Sequence, residues 1–315
     1  MTGRLVSIFG GAHIDRRARI AGTTAPGASN PGTWFEEAGG GGFNAARNLA
    51  RLGLDVRMIS PRGGDAAGET VALAAEQAGV IDRPFIFLDR KTPSYTAILE
   101  NDGNLVIALA DMELYRLFSP RRLQQRATRE ILSESDLVAT DANLPAETIT
   151  ALIRRAKSES KITAGIAISP AKVVRFDACL ADIGFLFMNE AEARALTGKD
   201  TVDAVQWPAI LRTAGLDGGV VTRGGKPAIA FKDDRIVTVS PPALEQLGDV
   251  TGAGDALAAG FLCAFLDGQP LETCLRTGVA AAVITVGSPL AVSEKMSREA
   301  ITEVIDLVPQ AEILS

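Results

Sequence analysis

The chain is short of the residues from which many hydrolases and metal sites are made. Among 315 residues there is one histidine, His13, and there are three cysteines, Cys179, Cys263 and Cys274. A Ser-His-Asp hydrolase would have to use His13, and no G-x-S-x-G elbow is there to present a serine. The cysteines have no metal-ligand spacing, and three is odd for a disulfide framework, so they read as buried free thiols of a reducing compartment. No G-x-x-x-x-G-K-S/T loop occurs, and the residues after the first strand-like run are GGAHID rather than G-x-G-x-x-G. P-loop and dinucleotide-binding readings are thereby disfavoured. There is no basic excess: 32 Lys and Arg stand against 38 Asp and Glu, a formal charge of −6. Nucleic acid and anionic membrane surfaces recruit the opposite balance. The apolar run ALAAGFLCAFL (256–266) is too short to span a bilayer, and LVSIF near the start lacks a signal-peptide pattern. A cytoplasmic protein with no nucleic-acid and no membrane partner is expected.

What is present is ample apolar material, 47% of residues, patterned as alternating strand and helix. Strand-like runs occur at 4–10, 55–60, 136–140, 161–169, 184–188 and 218–222. Helical stretches are expected at 42–53, 68–79 and near 145–158, 171–181, 190–198 and 201–215. That order predicts an α/β fold with a mainly parallel central sheet covered by helices on both faces. Residues 11–38 and 85–110 break the rhythm. The second segment holds PFIFL, SYTAILE and NLVIALA, the last two joined by NDG at 101–103, a hairpin signal. Both segments are expected to form a small projecting β-sheet, a lid on a single domain covering 1–315.

Four stretches carry candidate chemistry. In DVTGAGD (249–255), glycines lead into an apolar helix whose first N–H groups form an anion site. Asp255 beside such a site suits deprotonating a hydroxyl, although an acidic first turn after a glycine turn is also plain capping. GGGGFNAARNLARLG (39–53) brings backbone close to a ligand and places Asn44, donor and acceptor, on the first turn; a hinge with an N-cap asparagine reads equally well. MNEAEARALTG (188–198) pairs Asn189 with Glu192, which fits a capping box or a polar pair near phosphates and hydrated Mg²⁺. VVTRGGKPA (220–228) sets Thr222, Arg223 and Gly224 at a strand end, as a phosphate approach or as a simple hairpin.

Together these stretches resemble, in order and along essentially the whole chain, the ribokinase-like carbohydrate kinases, the PfkB family. GGAHID (10–15) is similar to that family's opening sugar-contact segment, GGGGFNAARNLARLG to its first signature, GGDAAG (63–68) to its G-x-D-x-x-G turn, MNEAE to its N-x-x-E, and GDVTGAGDALAAGF to its second signature. ASNPGTWFEEAGGGGFN, KTPSYTAILENDGNLVIALADM and DLVATDANLPAE further resemble the pseudouridine-kinase branch.

The resemblance implies a ribokinase-like fold, a lid that often forms a homodimer interface, and γ-phosphoryl transfer from ATP to a primary hydroxyl. Pseudouridine is the implied acceptor; ribose, another sugar or another nucleoside is the alternative, and a catalytically silent nucleoside-binding protein is the reading from another class. It makes Asp255 the base and gives the N–H groups of Gly252, Ala253 and Gly254 the role of anion hole. Asp15, Gly40 and Asn44 become acceptor contacts, which His13 and Gly41 adjoin; a nucleoside acceptor would also need contacts for a base, for which Tyr95, Asp111 and Asn143 are the candidates. Asn189, Thr222, Arg223, Gly224, Gly252 and Gly254 become nucleotide contacts. Glu192 would meet Mg²⁺ through water, and Asp249 and Thr251 would neighbour a K⁺ site. His13 departs from the family, where asparagine is common, and Pro227 stands where a glycine is usual.

Overall fold

The expected strand-like runs are strands, and with others that the sequence did not announce they make sixteen among the described residues, which in this computed structural model are 3–243 and 250–314. In chain order they are β1 (Leu5–Phe9), β2 (His13–Ile20), β3 (Gly32–Gly39), β4 (Asp55–Ile59), β5 (Pro61–Gly63), β6 (Ile81–Asp82), β7 (Phe85–Phe87), β8 (Ser94–Leu99), β9 (Leu105–Asp111), β10 (Leu137–Asp141), β11 (Ile162–Ile166), β12 (Phe185–Asn189), β13 (Gly218–Arg223), β14 (Lys226–Lys232), β15 (Arg235–Val239) and β16 (Glu312–Ile313). The α-helices are α1 (Gly41–Arg51), α2 (Ala66–Gln77), α3 (Arg126–Glu134), α4 (Ala146–Ser158), α5 (Pro170–Val173), α6 (Glu190–Thr197), α7 (Trp207–Thr213), α8 (Ala253–Leu266), α9 (Leu271–Val286) and α10 (Arg298–Val304).

Ten strands make the central sheet in the order β16-β15-β14-β13-β12-β11-β10-β1-β4-β6. From β13 to β6 neighbours are parallel; β14, β15 and β16 add an antiparallel edge. Apolar runs buried on both faces explain the two cores. In β12, Phe185 and Phe187 join Val6, Ile8, Leu137 and Ala139 on the side of α1, α8 and α9. Leu186 and Met188 join Phe9, Val138 and Val221 on the side of α4 and α6. Each such side chain contributes roughly 1.5–3 kcal/mol by leaving water, and the alternation follows from the two-residue repeat of a strand.

A second sheet, β3-β2-β8-β9, stands apart from the first. β2 and β8 are parallel, and the outer pairs are antiparallel. The expected turn at 101–103 joins β8 to β9, with Gly103 at φ 93°. Phe85–Phe87 does not join this sheet. It pairs with β5 instead, and Phe85 packs edge-on against Phe118, 4.9 Å between ring centres. That apolar contact holds the segment on the body.

Two expected helices are shorter than the periodicity suggests. The stretch 171–181 is one α-turn followed by a 3₁₀ stretch, Val174–Asp182, broken at Cys179 (φ −136°). In 201–215 the α-helix begins only at Trp207, because Pro208 belongs in a first turn, where its missing N–H costs nothing. All three cysteines are free and buried, and burial pushes the Cys179 and Cys263 thiols up to about 11. Among the described residues no helix is long and apolar enough to cross a membrane.

Candidate active site

The site forms where the strand order reverses. β1 pairs with β4 on one side and β10 on the other, so loops leaving β1 and β10 diverge around a crevice at their C-terminal ends. The last residue of β10, Asp141, is fully buried and draws that crevice together. Its Oδ2 accepts from the backbone N–H of Gly11 and of Gly42, both at 2.9 Å, and from Asn143 Nδ2 at 2.8 Å. Its Oδ1 accepts from the Asn143 N–H at 2.9 Å. A Cβ at Gly10 would come within 2.7–2.9 Å of this carboxylate, so the glycines serve close approach. Sequence reasoning chose Asn143 and passed over Asp141, although both stand in the same DAN triplet.

Gly40 caps α1 at φ 108°, where a Cβ would lie 2.5 Å from the Gly11 carbonyl oxygen. Gly40 is thus required by contact as well as by backbone conformation, whereas a Cβ at Gly39, Gly41 or Gly42 would meet only side-chain atoms, at 2.0, 2.1 and 3.0 Å. One turn into α1, Asn44 donates from Nδ2 to Asp255 Oδ2 at 2.9 Å. Asp255 lies in the first turn of α8, whose N-cap is Gly252 at φ 80°. Ala253 N–H donates to the Val250 carbonyl at 3.2 Å, closing the turn. Of the expected anion-hole donors, therefore, Ala253 is already engaged. Among the described residues the Gly254 N–H has no such backbone acceptor, and Gly254 lines the cavity. Burial is the main cause that pushes the Asp255 carboxyl up to about 7, opposed by the Asn44 hydrogen bond and reinforced by the charges of Asp141, Asp15 and Glu192. A carboxyl at that value takes and releases protons near neutrality.

The cavity over Asp255 measures about 650 Å³ and gathers residues from most of the predicted stretches. Asp15 and Tyr95 face each other across β2 and β8 and both line it, as do His13, Gly40, Gly41, Asn44 and Asn143. His13 is buried between two partners: Nδ1 lies 2.9 Å from the Tyr115 hydroxyl, and Nε2 lies 3.2 Å from Asp15 Oδ1. Burial holds the Tyr115 phenol protonated well above its usual range. Tyr115, His13 and Asp15 thus form one chain of polar contacts, the donor at each link being set by the imidazole tautomer. At the far end Lys172 Nζ donates to Asn143 Oδ1 at 2.6 Å, and burial lowers the lysine's pKa. Neither Tyr115 nor Lys172 carried a sequence signal, since each reaches the site from a loop or short helix of no recognisable pattern. Beyond this pair a second cavity of about 600 Å³ continues, sharing Ala110, Met112, Asn143 and Lys172.

On the opposite side, Asn189 and Glu192 realise the capping-box reading and also face the cavity. They form a capping box, Glu192 N–H to Asn189 Oδ1 at 2.9 Å and Asn189 N–H to Glu192 Oε2 at 2.7 Å, and both line the cavity. Burial raises the Glu192 carboxyl. Thr222 and Thr251 line it too.

Other predicted residues are placed elsewhere. Asp111 is exposed on the face of β9 opposite Ala110, because neighbours in a strand point to opposite sides, and Ala110 and Met112 line the cavity in its place. Arg223 turns away to pair with Glu190 at 2.8 Å, at the root of a hairpin whose turn is Gly224–Gly225. Gly224 lies outside the cavity lining. The hairpin reading of that stretch is what the backbone realises. Asp249 lies outside the described residues.

Comparison with known proteins accords with this geometry. The model of the "pfkB family carbohydrate kinase" matches residues 4–297. A pseudouridine kinase of Escherichia coli (strain K12) is 28% identical over 314 residues, covering 98% of both chains. A solved carbohydrate kinase from Agrobacterium tumefaciens is 59% identical, with TM-score 0.90 over 99% of this chain and 100% of that one. A ribokinase from Arabidopsis thaliana, solved with ribose and ATP, shares the fold at 23% identity and TM-score 0.84, covering 97% and 99%.

Proposed function

The chain belongs to the pfkB family of carbohydrate kinases, and from that premise we propose that it transfers the γ-phosphoryl group of ATP to the 5′-hydroxyl of a nucleoside, pseudouridine first among them. The observation that carries the reading is Asp255, a carboxyl poised near neutrality in the first turn of a helix that opens onto the cavity. Asp255 accepts the hydroxyl proton as the oxygen attacks the γ-phosphorus. The Gly254 N–H and the positive end of α8 balance charge on the transferred oxygens. Phosphoryl transfer asks for positioning and electrostatics more than covalent chemistry, and this site offers both.

Asp15 holds ribose hydroxyls, oriented by the chain from Tyr115 through His13. Tyr95 closes the same side from β8. Asn189, Thr222 and Glu192 take the nucleotide side. Glu192 has one carboxylate oxygen committed to its capping box, which leaves the other for water on Mg²⁺. The donors here fit a hydrated ion delivered with ATP, because among the described residues no three His, Cys, Asp or Glu side chains cluster into a cage. The bound Mg²⁺ would neutralise phosphate charge. Thr251 is the described neighbour for a K⁺ ion.

A nucleoside is favoured over a free sugar by the polar pair at the far end. Lys172 offers donors to base carbonyls, and Asn143 Oδ1 is an acceptor for a ring N–H. Pseudouridine has a free N1–H that uridine lacks. ADP release with ATP and Mg²⁺ should therefore be fastest with pseudouridine, at least about tenfold ahead in kcat/KM of uridine, adenosine, ribose and fructose. Higher efficiency with ribose or fructose would replace the nucleoside reading by a sugar kinase. Ligand-induced thermal stabilisation with no ADP release would point to a silent binding protein.

The second sheet also suits a homodimer. Trp34, Ile98 and Ile107 share one row of its outer face, and Trp34, Ile107 and Leu109 are more than half exposed, at 56%, 61% and 69%. Such a patch is expected to be covered. Ile107→Glu should convert a dimer to a monomer in light scattering; a wild-type monomer would end this proposal.

A further inference from the structure

We infer that Arg47 is a positioning residue that fixes the Asn44 amide and so ties the proton acceptor Asp255 to the end of β3. The inference rests on the reading of Asp255 as the base. Arg47 lies one turn beyond Asn44 on α1. Its Nη2 donates to Asn44 Oδ1 at 2.7 Å and to the Ala38 carbonyl, in the last residues of β3, at 2.8 Å. An arginine has donors only, so it selects the orientation of the amide: Oδ1 must face Arg47 and Nδ2 must face Asp255. The observed Nδ2 to Oδ2 hydrogen bond is the consequence. One Asp255 oxygen is thus committed, and the pair is held in the ionised form's favour.

Charge acts in the same sense. Asp255 is faced by Asp15 from β2, Asp141 from β10 and Glu192 from α6, all negative. Arg47 is a positive group that interacts with Asp255, more weakly than with Glu37 on β3, Arg51 on its own helix and Asp15. Its guanidinium rests 4.7 Å from the Phe43 ring centre, and its Nε–H is buried without a partner among the described residues. An arginine kept only for packing would not need to be desolvated beside a carboxylate cluster. Removing it frees Asn44 to turn its oxygen toward Asp255 and deletes the compensating charge. Both changes favour the protonated carboxyl.

The test combines Arg47→Met, which keeps the apolar stem, and Arg47→Lys, which keeps the charge, each with and without Asp255→Asn. In the apo protein the difference in thermal midpoint between Asp255 and its D255N counterpart reports the carboxyl's titration between pH 5 and 9. R47M should move the point at which that difference levels off upward by at least about half a pH unit, and R47K by less. With ATP, Mg²⁺ and pseudouridine, the acidic limb of kcat should move the same way, with KM for ATP within about threefold of wild type. Should R47M fold poorly, Arg47→Leu, which likewise removes both the charge and the donors, serves the same arm. An unmoved titration, or R47K as defective as R47M, overturns the inference while leaving the kinase reading intact. Full turnover in D255N would instead remove the base assignment and, with it, the catalytic meaning of Arg47.

Discussion

Asp255→Asn is expected to lower turnover by about 10²–10⁴-fold while leaving the fold intact. The amide keeps the shape of the carboxyl and can still accept from Asn44 Nδ2, so α1 and α8 stay joined. What is lost is the proton acceptor. In wild type, kcat/KM should climb about tenfold per pH unit below about 7, where the Asp255 carboxyl titrates, and flatten above it. D255N should retain no such limb. Stability should move the other way. The folded carboxyl holds its proton up to about 7, far above the ordinary value of 3.8, so its contribution to stability is fully present below the unfolded value and is lost as pH rises through about 7. A neutral amide escapes that loss. D255N should therefore melt about 2–5 °C above wild type at pH 8, with the gap closing toward pH 4. Differential scanning calorimetry beside a steady-state assay decides this. A variant that is both less stable and fully active would contradict both halves.

Gly254→Ala and Gly252→Ala should part company, although the two glycines stand two residues apart. A Cβ at Gly254 meets nothing within 4 Å, and helical backbone prefers alanine, so folding should be unharmed. That open space borders the Gly254 N–H, where phosphate oxygens are proposed to sit. A methyl there should cost about 10²-fold or more in kcat, comparable to losing an anion-hole donor. At Gly252 the backbone is left-handed, φ 80°, and a Cβ would lie 2.1 Å from the Ala291 carbonyl oxygen. G252A should lose stability by at least about 1–3 kcal/mol from strain alone, more with the clash, and activity should fall with it. Soluble, wild-type-like melting for G254A with near-normal kcat would show that the helix terminus does not hold the phosphate.

The second glycine stretch illustrates how far one dimension carries. GGGGFNAARN announces close approach, and Asn44 was visible as its polar group. Which atoms approach was not visible, because they come from 99 to 211 residues away: Asp141 to Gly42, and Asp255 to Asn44. The ends of β1 and β10 become neighbours only once their ladders form, so Asp141 looks in the sequence like any strand-terminal aspartate. Asp111 shows the converse. Its place after the hairpin was legible, but a strand's two-residue repeat decides its face, and a shift of one residue in register exchanges Asp111 with Ala110. Arg223 likewise stands in a glycine turn that suits phosphate, yet Glu190, 33 residues away, claims it.

The sequence by itself determined the alternation of strand and helix, the two-faced apolar burial that makes the sheet parallel, and the glycines whose conformations only they tolerate. Local backbone preference and side-chain periodicity are enough for these. It also exposed the DVTGAGD stretch, since a helix start needs no distant partner to bare its N–H groups. Tertiary structure alone decided that Asp255 should be a carboxyl titrating near 7, that Ala253 spends its N–H on a turn, and that Tyr115, Lys172 and Arg47 join the site. Desolvation and hydrogen-bond partnership depend on which surfaces meet, and those meetings are set by the sheet order rather than by any neighbour in the chain.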